Sequence, residues 1–248
     1  MTSNGGPLYD STSVETEMPM MQAPLIDLNR NAEATRYALL RRLAPAIRHQ
    51  MAGSFQPVTM IAALIEKRAM AATPNLPTLA NAAGEVRALV SAATRSNLDL
   101  MAWIAPDPAT RVALGKGIAD ALHLVATLLS FRGFKLVNQT EALPAEVELC
   151  HVRGAFLASL LALTDAAVAP CSVLISASRE DQEMVVTIAQ VAVDAASAAT
   201  ASSEIFHANW AAYRKLEWDD VAAIASADGV GLMHTATTVE LRLPTVRR

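Results

Sequence analysis

Leu39-Leu40-Arg41-Arg42-Leu43-Ala44-Pro45-Ala46-Ile47-Arg48-His49-Gln50-Met51-Ala52-Gly53-Ser54-Phe55 decides how this chain is read. Through it and beyond, Leu40, Leu43, Ile47, Met51, Ser54 or Phe55, Val58, Ile61 and Ile65 recur at spacings of three and four. That periodicity predicts one apolar stripe along a long helix from Asn31 to about Met70, close to the heptad geometry of bundles. Thr73-Pro74-Asn75-Leu76-Pro77-Thr78 then reads as a turn, with Thr78 the expected N-cap of a second helix. The second helix carries Leu79, Ala82 or Ala83, Val86, Leu89 or Val90, Ala93, Leu98 and Met101 and ends near Ala105-Pro106-Asp107-Pro108. One such hairpin buries a stripe on both helices poorly. Two copies do so as a four-helix bundle, so a homodimer is expected.

Composition sets the wider frame. The chain has 248 residues, of which 52% are hydrophobic and 18% charged, which excludes wholesale disorder. A net charge of −4 offers no basic footprint for nucleic acid. Mean hydropathy is +0.28, so membrane spans must be considered. The most apolar stretches, Gly117–Leu129 and Gly154–Ala169, are interrupted by Asp120, His123 and Asp165 and read as buried helices, without membrane contact. No leader pattern is recognised at the N-terminus, and a cytoplasmic location is expected. Cys150 and Cys171 are expected to be reduced and apolar, and no zinc motif is expected from the Cys/His spacing.

The organisation predicted is a tail over residues 1–30, a helical hairpin over 31–107 and an α/β unit over 108–248. In the last unit, Thr110–Arg132, Glu146–Ala167, Ala195–Ala212 and Asp219–Ala227 read as helices. Strands are expected at Gly133–Asn138, Cys171–Ser178 and Met184–Gln190, with a closing hairpin of Gly229–His234 and Thr237–Pro244. The fold class is therefore α+β, a long helical hairpin followed by a two-layer α/β sandwich.

His49 lies about 200° round the helix from Ile47 and so points away from the stripe. Arg48 precedes it, Gly53 opens space one turn on, and Pro57 loosens the helix further up. An exposed imidazole on a rigid bundle offers a neutral nitrogen with in-line access and no burial penalty, which suits a phosphoryl acceptor.

At Arg48-His49-Gln50-Met51-Ala52-Gly53-Ser54-Phe55 the chain resembles the H-box of two-component histidine kinases. Phe131–Leu136 looks like the strand entry of their ATP-binding domain, and Phe156–Ala167 has the rhythm of their N-box helix. Ala227–Leu232 followed by Thr237–Pro244 looks like the closing hairpin. The resemblance spans residues 35–246 and implies a dimerisation and phosphoacceptor domain joined to a kinase-type α/β domain.

Three departures matter. The N-box asparagine falls on Ala162 or Leu163, and residues 190–219 contain no glycine for a nucleotide-contacting loop. Gln50, where the family has a carboxylate, cannot serve as a general base. The pattern is similar to dimeric histidine phosphotransferases built on a degenerate kinase core, which move phosphoryl groups between receiver domains. That likeness implies His49 as acceptor and no cofactor of its own, Mg²⁺ arriving with the receiver. Arg48 is expected to hold phosphoryl charge and Gln50 to hydrogen-bond the receiver or the phosphoryl oxygens. Arg42, Gly53 and Gln56, with Ala46 and Ala52, are expected to form the outward docking face. The rival readings are a non-enzymatic dimeric scaffold or pseudokinase that binds a signalling partner, and a divergent ATP-using histidine kinase.

Other features read as structural. His123 is expected in the core or at its boundary, and His151, His207 and His234 show no partner pattern. Asp228-Gly229-Val230-Gly231 is expected to be a hairpin turn, Asp219-Asp220 a helix start, and Trp210, Tyr213 and Trp218 a packing cluster.

Overall fold

A computed structural model describes residues 22–103, 109–140, 145–167, 171–192 and 214–245. The expected helix over Ala195–Ala212, with His207, Trp210 and Tyr213, lies outside these residues.

Helix α1 runs Gln22–Ala69, 48 residues, or roughly 72 Å at the α-helical rise. It begins nine residues before the predicted Asn31. Its lower half buries Ala32, Thr35, Leu39, Arg42 and Leu43, a stripe whose polar members hide it from a hydrophobic count. Pro45 and Pro57 lie inside the helix, and each deprives the carbonyl four residues earlier of its N–H partner. Helix α2, Leu76–Met101, packs antiparallel on the upper part of α1. Its N-cap is Asn75 rather than Thr78: the Asn75 side chain accepts from the Thr78 amide at 3.0 Å, and Pro77 sits in the first turn where no N–H is missed. Leu79, Ala82, Val86, Leu89, Ala93 and Leu100 face α1 at alternating spacings of three and four, apart from one doubled step, whereas Leu98 and Met101, expected in this stripe, are exposed. Opposite them stand Ile47, Met51, Ser54, Val58, Ile61 and Ile65, the stripe the sequence announces.

The α/β unit opens with strand β1 (Arg111–Ala113), helix α3 (Leu114–Phe131) and strand β2 (Phe134–Asn138). Strand β3 (Glu146–Glu148) pairs antiparallel with β1, Val112 opposite Val147. These two three-residue strands replace the ends of the helices predicted at Thr110 and Glu146. Helix α4 runs Leu149–Ala166 and contains a π-turn over Val152–Phe156. Strands β4 (Cys171–Glu180) and β5 (Glu183–Ala192) form a hairpin whose turn places Asp181 at φ +48°. Helix α5 (Trp218–Ala227) precedes the closing strands β6 (Gly231–His234) and β7 (Thr238–Pro244).

The five-stranded sheet has the order β2-β4-β5-β7-β6, with β2 parallel to β4 and the other pairs antiparallel. Ile175, Ile188 and Val239 form one cross-strand row, and Ala177, Val186 and Leu241 the next. This inner face is covered by α3, α4 and α5, giving the two layers expected from the order of elements. Among the described residues two helices, α3 and α4, are long and apolar enough to cross a membrane, yet 56% and 72% of their 18-residue windows are buried inside the fold. His123 departs from expectation: it projects from the solvent face of α3, between Leu122 and Leu124, which point inward.

Asp228-Gly229-Val230-Gly231 is a helix ending, not a hairpin turn. The Val230 amide donates to Ala225 O (2.8 Å) and the Gly229 amide to Ser226 O (3.3 Å), with Gly229 at φ +67° and Val230 buried. That is a Schellman closure of α5, and it leaves no open nest of amides for a phosphate. Asp220 accepts from the Glu217 amide at 3.0 Å within a capping box, so the helix start predicted at Asp219-Asp220 has its reason.

Candidate functional site

The lower half of α1 is built into the core of the α/β unit. Leu39, Leu43 and Ile47 belong to the same buried cluster as Phe156, Leu160 and Val173. Polar ties fix it there. Arg42 makes a two-pronged hydrogen bond to Asp165 near the end of α4, with Nη2 to Oδ1 at 2.9 Å and Nη1 to Oδ2 shorter. Arg42 is 1% and Asp165 3% exposed. Arg132 Nη1 stands 3.1 Å from the same Asp165 Oδ1, and its Nη2 donates to Thr164 O at 2.9 Å. Burial holds the Arg132 guanidinium below its ordinary pKa; Asp165 opposes that and Arg42 reinforces it. Higher on the same interface Arg153 of α4 donates to Ala102 O at 2.8 Å and lies 4.5 Å over the Trp103 ring, tying in the end of α2.

Arg42 therefore does not belong to an outward docking face. Position 42 is on the side of α1 that meets the α/β unit, and a bidentate carboxylate partner offsets the cost of burying its charge.

His49 follows seven residues later, on the same face as Arg42 and about 10 Å further along the axis. It is exposed, as are Arg48, Ala52, Gly53 and Gln56, while Ala46 and Gln50 are half-buried. His49, Gly53 and Gln56 share one side of the helix at spacings of four and three. A Cβ built on Gly53 meets nothing within 4 Å, so packing does not require glycine there. Pro57 leaves the Gly53 carbonyl without its helical amide.

The neighbours of His49 look to opposite sides. Arg48 borders an apolar groove of about 570 Å³ with Leu40, Ile47, Met51, Phe55 and Met101. Gln50 borders a groove of about 560 Å³ at the junction with the α/β unit, where Asp99, Arg111, Lys116, Asp120 and Arg153 supply charges of both signs. His49 sits on the ridge between them. The sequence located this ridge. It did not locate the junction groove, whose residues come from α1, α2, β1, α3 and α4.

On α4, Ala162 and Leu163 are 2% and 0% exposed. The carbonyl of Leu163 accepts from Gln190 Nε2 at 3.0 Å. The helix thus presents packed aliphatic side chains where the kinase pattern has an asparagine. Asp194, in the glycine-free stretch, lies outside the described residues.

No protein-family model and no curated protein matches the chain. Among solved structures it is similar to the catalytic domain of the histidine kinase ThkA (TM1359), with 11% identity over 54% of this chain and 94% of that one, TM-score 0.40. It is also similar to the Acinetobacter baumannii histidine kinase AdeS, with 13% identity over 77% and 96%, TM-score 0.42. A third likeness is to a bacterial phosphotransferase, with 15% identity over 83% and 95%, TM-score 0.33. At such identities and TM-scores, function is read from the residues of this chain itself.

Proposed function

We propose that the chain is a histidine phosphotransfer protein of two-component signalling, which takes a phosphoryl group from one receiver domain onto His49 and passes it to another. One observation carries this reading. His49 is exposed on a helix whose residue one heptad below on the same face, Arg42, is buried and doubly hydrogen-bonded to the α/β unit. The imidazole is therefore held by a fixed helix and stays clear of what fixes it. Phosphoryl transfer depends chiefly on positioning and electrostatics, and that arrangement supplies the first.

In the proposed step the lone pair of a neutral imidazole nitrogen attacks the phosphorus of a receiver aspartyl phosphate. A P–N bond forms, the P–O bond to aspartate breaks, and the carboxylate leaves with the bonding pair. The return step reverses this. Arg48, exposed beside His49, offers charge to the phosphoryl oxygens, and Gln50 offers an amide. Mg²⁺ belongs to the receiver. The small exposed surface of Ala52, Gly53 and Gln56 admits the partner's approach.

The lack of glycine between Gln190 and Asp219 and the aliphatic packing at Ala162 and Leu163 support a protein that does not use ATP. Exposed apolar side chains on the hairpin support a homodimer: Met60 is 67%, Leu98 65% and Val90 41% exposed on helices that otherwise follow heptad packing.

The test offers labelled phospho-receiver domains to wild type and to His49→Ala. Label reaching wild type but not the variant supports the proposal. Label reaching neither across a broad panel overturns it in favour of a non-enzymatic scaffold.

A further inference from the structure

We propose that Glu148, Cys150 and His151 form a binding site for one divalent cation of the zinc class. The sequence expectation was that no zinc site exists, because two cysteines and scattered histidines make no ligand motif. A site that draws its third ligand from a carboxylate escapes such a count.

The three residues straddle the junction of β3 and α4. Glu148 occupies the N-cap position of α4 in extended conformation, yet its side chain makes no capping bond. Its Oε2 instead receives Cys150 Sγ at 3.6 Å and stands 3.5 Å from His151 Nε2. All three donor atoms lie within 4.8 Å of one another. Tetrahedral zinc, with bonds of about 2.0–2.3 Å, spaces its ligands roughly 3.3–3.8 Å apart, so the two measured edges already fit.

The second observation is His151 itself. It is 1% exposed and its Nδ1 has no hydrogen-bond partner, while Nε2 faces Glu148 Oε2 at 3.5 Å. A cation on Nε2 fixes the imidazole proton on Nδ1, the donor that metal-bound histidines present to an outer-shell acceptor. Asp228 Oδ2 is also buried without a partner and stands 3.0 Å from where a Cβ on Gly154 would be. Gly154 follows His151 by three residues on the same side of the helix, so Asp228 is suited to an outer-shell role. The π-turn of α4 begins at the next residue, Val152, a distortion frequent at functional sites.

Donor chemistry selects the ion. Thiolate with imidazole and one carboxylate favours zinc-class metals over Mg²⁺ or Ca²⁺. Binding exchanges the thiol proton, released to solvent, for the metal. Glu148 is half-exposed, which leaves an entry path and a fourth position for water. The site is remote in sequence from His49, and its role would be to brace β3 against α4 beside the Arg36–Asp228 ion pair (2.5 Å).

The experiment titrates the chelator-treated, reduced full chain with Co²⁺. The expected result is one equivalent bound, with thiolate-to-cobalt charge-transfer absorption that Zn²⁺ discharges. Cys150→Ser should abolish the band, Cys171→Ser should leave it, and His151→Gln should weaken binding more than about tenfold, the scale of even an outer-shell loss. Circular dichroism checks that each variant is folded; Cys150→Ser, conservative and half-exposed, keeps the test decisive if His151→Gln is not. No band in wild type, or a band that survives Cys150→Ser, overturns the proposal.

Discussion

Arg42 and His49 stand one heptad apart on a single face of α1, the first buried against Asp165 and the second exposed. The same side of the helix is thus anchored below and open to solvent above. Two cations, Arg42 and Arg132, share the one carboxylate, so Asp165 is the residue on which the anchor turns.

Removing Asp165 leaves two guanidinium groups without their shared carboxylate. Asp165→Asn should destabilise the protein by about 3–5 kcal/mol, and Arg42→Met by less, because Arg132 still pairs with Asp165. The double variant, Arg42→Met with Asp165→Leu, should lose less than the sum of the two single losses, although Arg132 is then left without its carboxylate. Urea unfolding followed by circular dichroism measures all three, and independent additive losses would show that the two side chains do not act as a pair.

The exposed apolar side chains of the hairpin make the dimer testable. Leu98→Glu and Met60→Glu place a charge on the face proposed to meet a second copy, and light scattering should show a monomer for the pair of changes and a dimer for wild type. Helix content should hold near the base, where Arg42, Arg153 and the buried cluster anchor the hairpin. An unchanged mass would move the interface elsewhere.

Gly53 separates stability from docking. With open space around its Cβ position, Gly53→Ala should raise stability by about 0.5–1 kcal/mol through helix propensity. The added methyl group lies one turn above His49, on the proposed approach of the receiver, so phosphoryl transfer should slow while the melting temperature rises. A faster or equal transfer rate would remove Gly53 from the contact surface.

Nucleotide binding is the discriminator against a divergent kinase. Millimolar Mg-ATP should leave the melting temperature where it is. Saturation at 100 times Kd would add about 2.7 kcal/mol and move it visibly.

Legibility in the sequence followed the physics of each element. The α1–α2 seam was readable because Ile47, Met51, Val58 and Ile61 are aliphatic and periodic, and β4 and β5 because their side chains alternate over a long run. The lower half of α1 was not, because its buried face uses Ala32, Thr35 and Arg42. A buried arginine is indistinguishable from a surface one until its partner, here 123 residues away, is placed. Strands β1 and β3 were hidden by their three-residue length, and His151 by lying in a run that periodicity assigns wholly to helix. His49 stood out because its angular position follows from the stripe on the same helix, with no long-range contact required.

The central claim is that His49 carries the phosphoryl group. The most direct measurement is peptide mapping by mass spectrometry, under alkaline conditions, of wild-type chain after exposure to a phosphorylated receiver. The account predicts a single phosphorylated peptide spanning Arg48 and Gln50, with the group on His49, and no such peptide from His49→Ala. Phosphate on another residue, or full labelling of the variant, would contradict it.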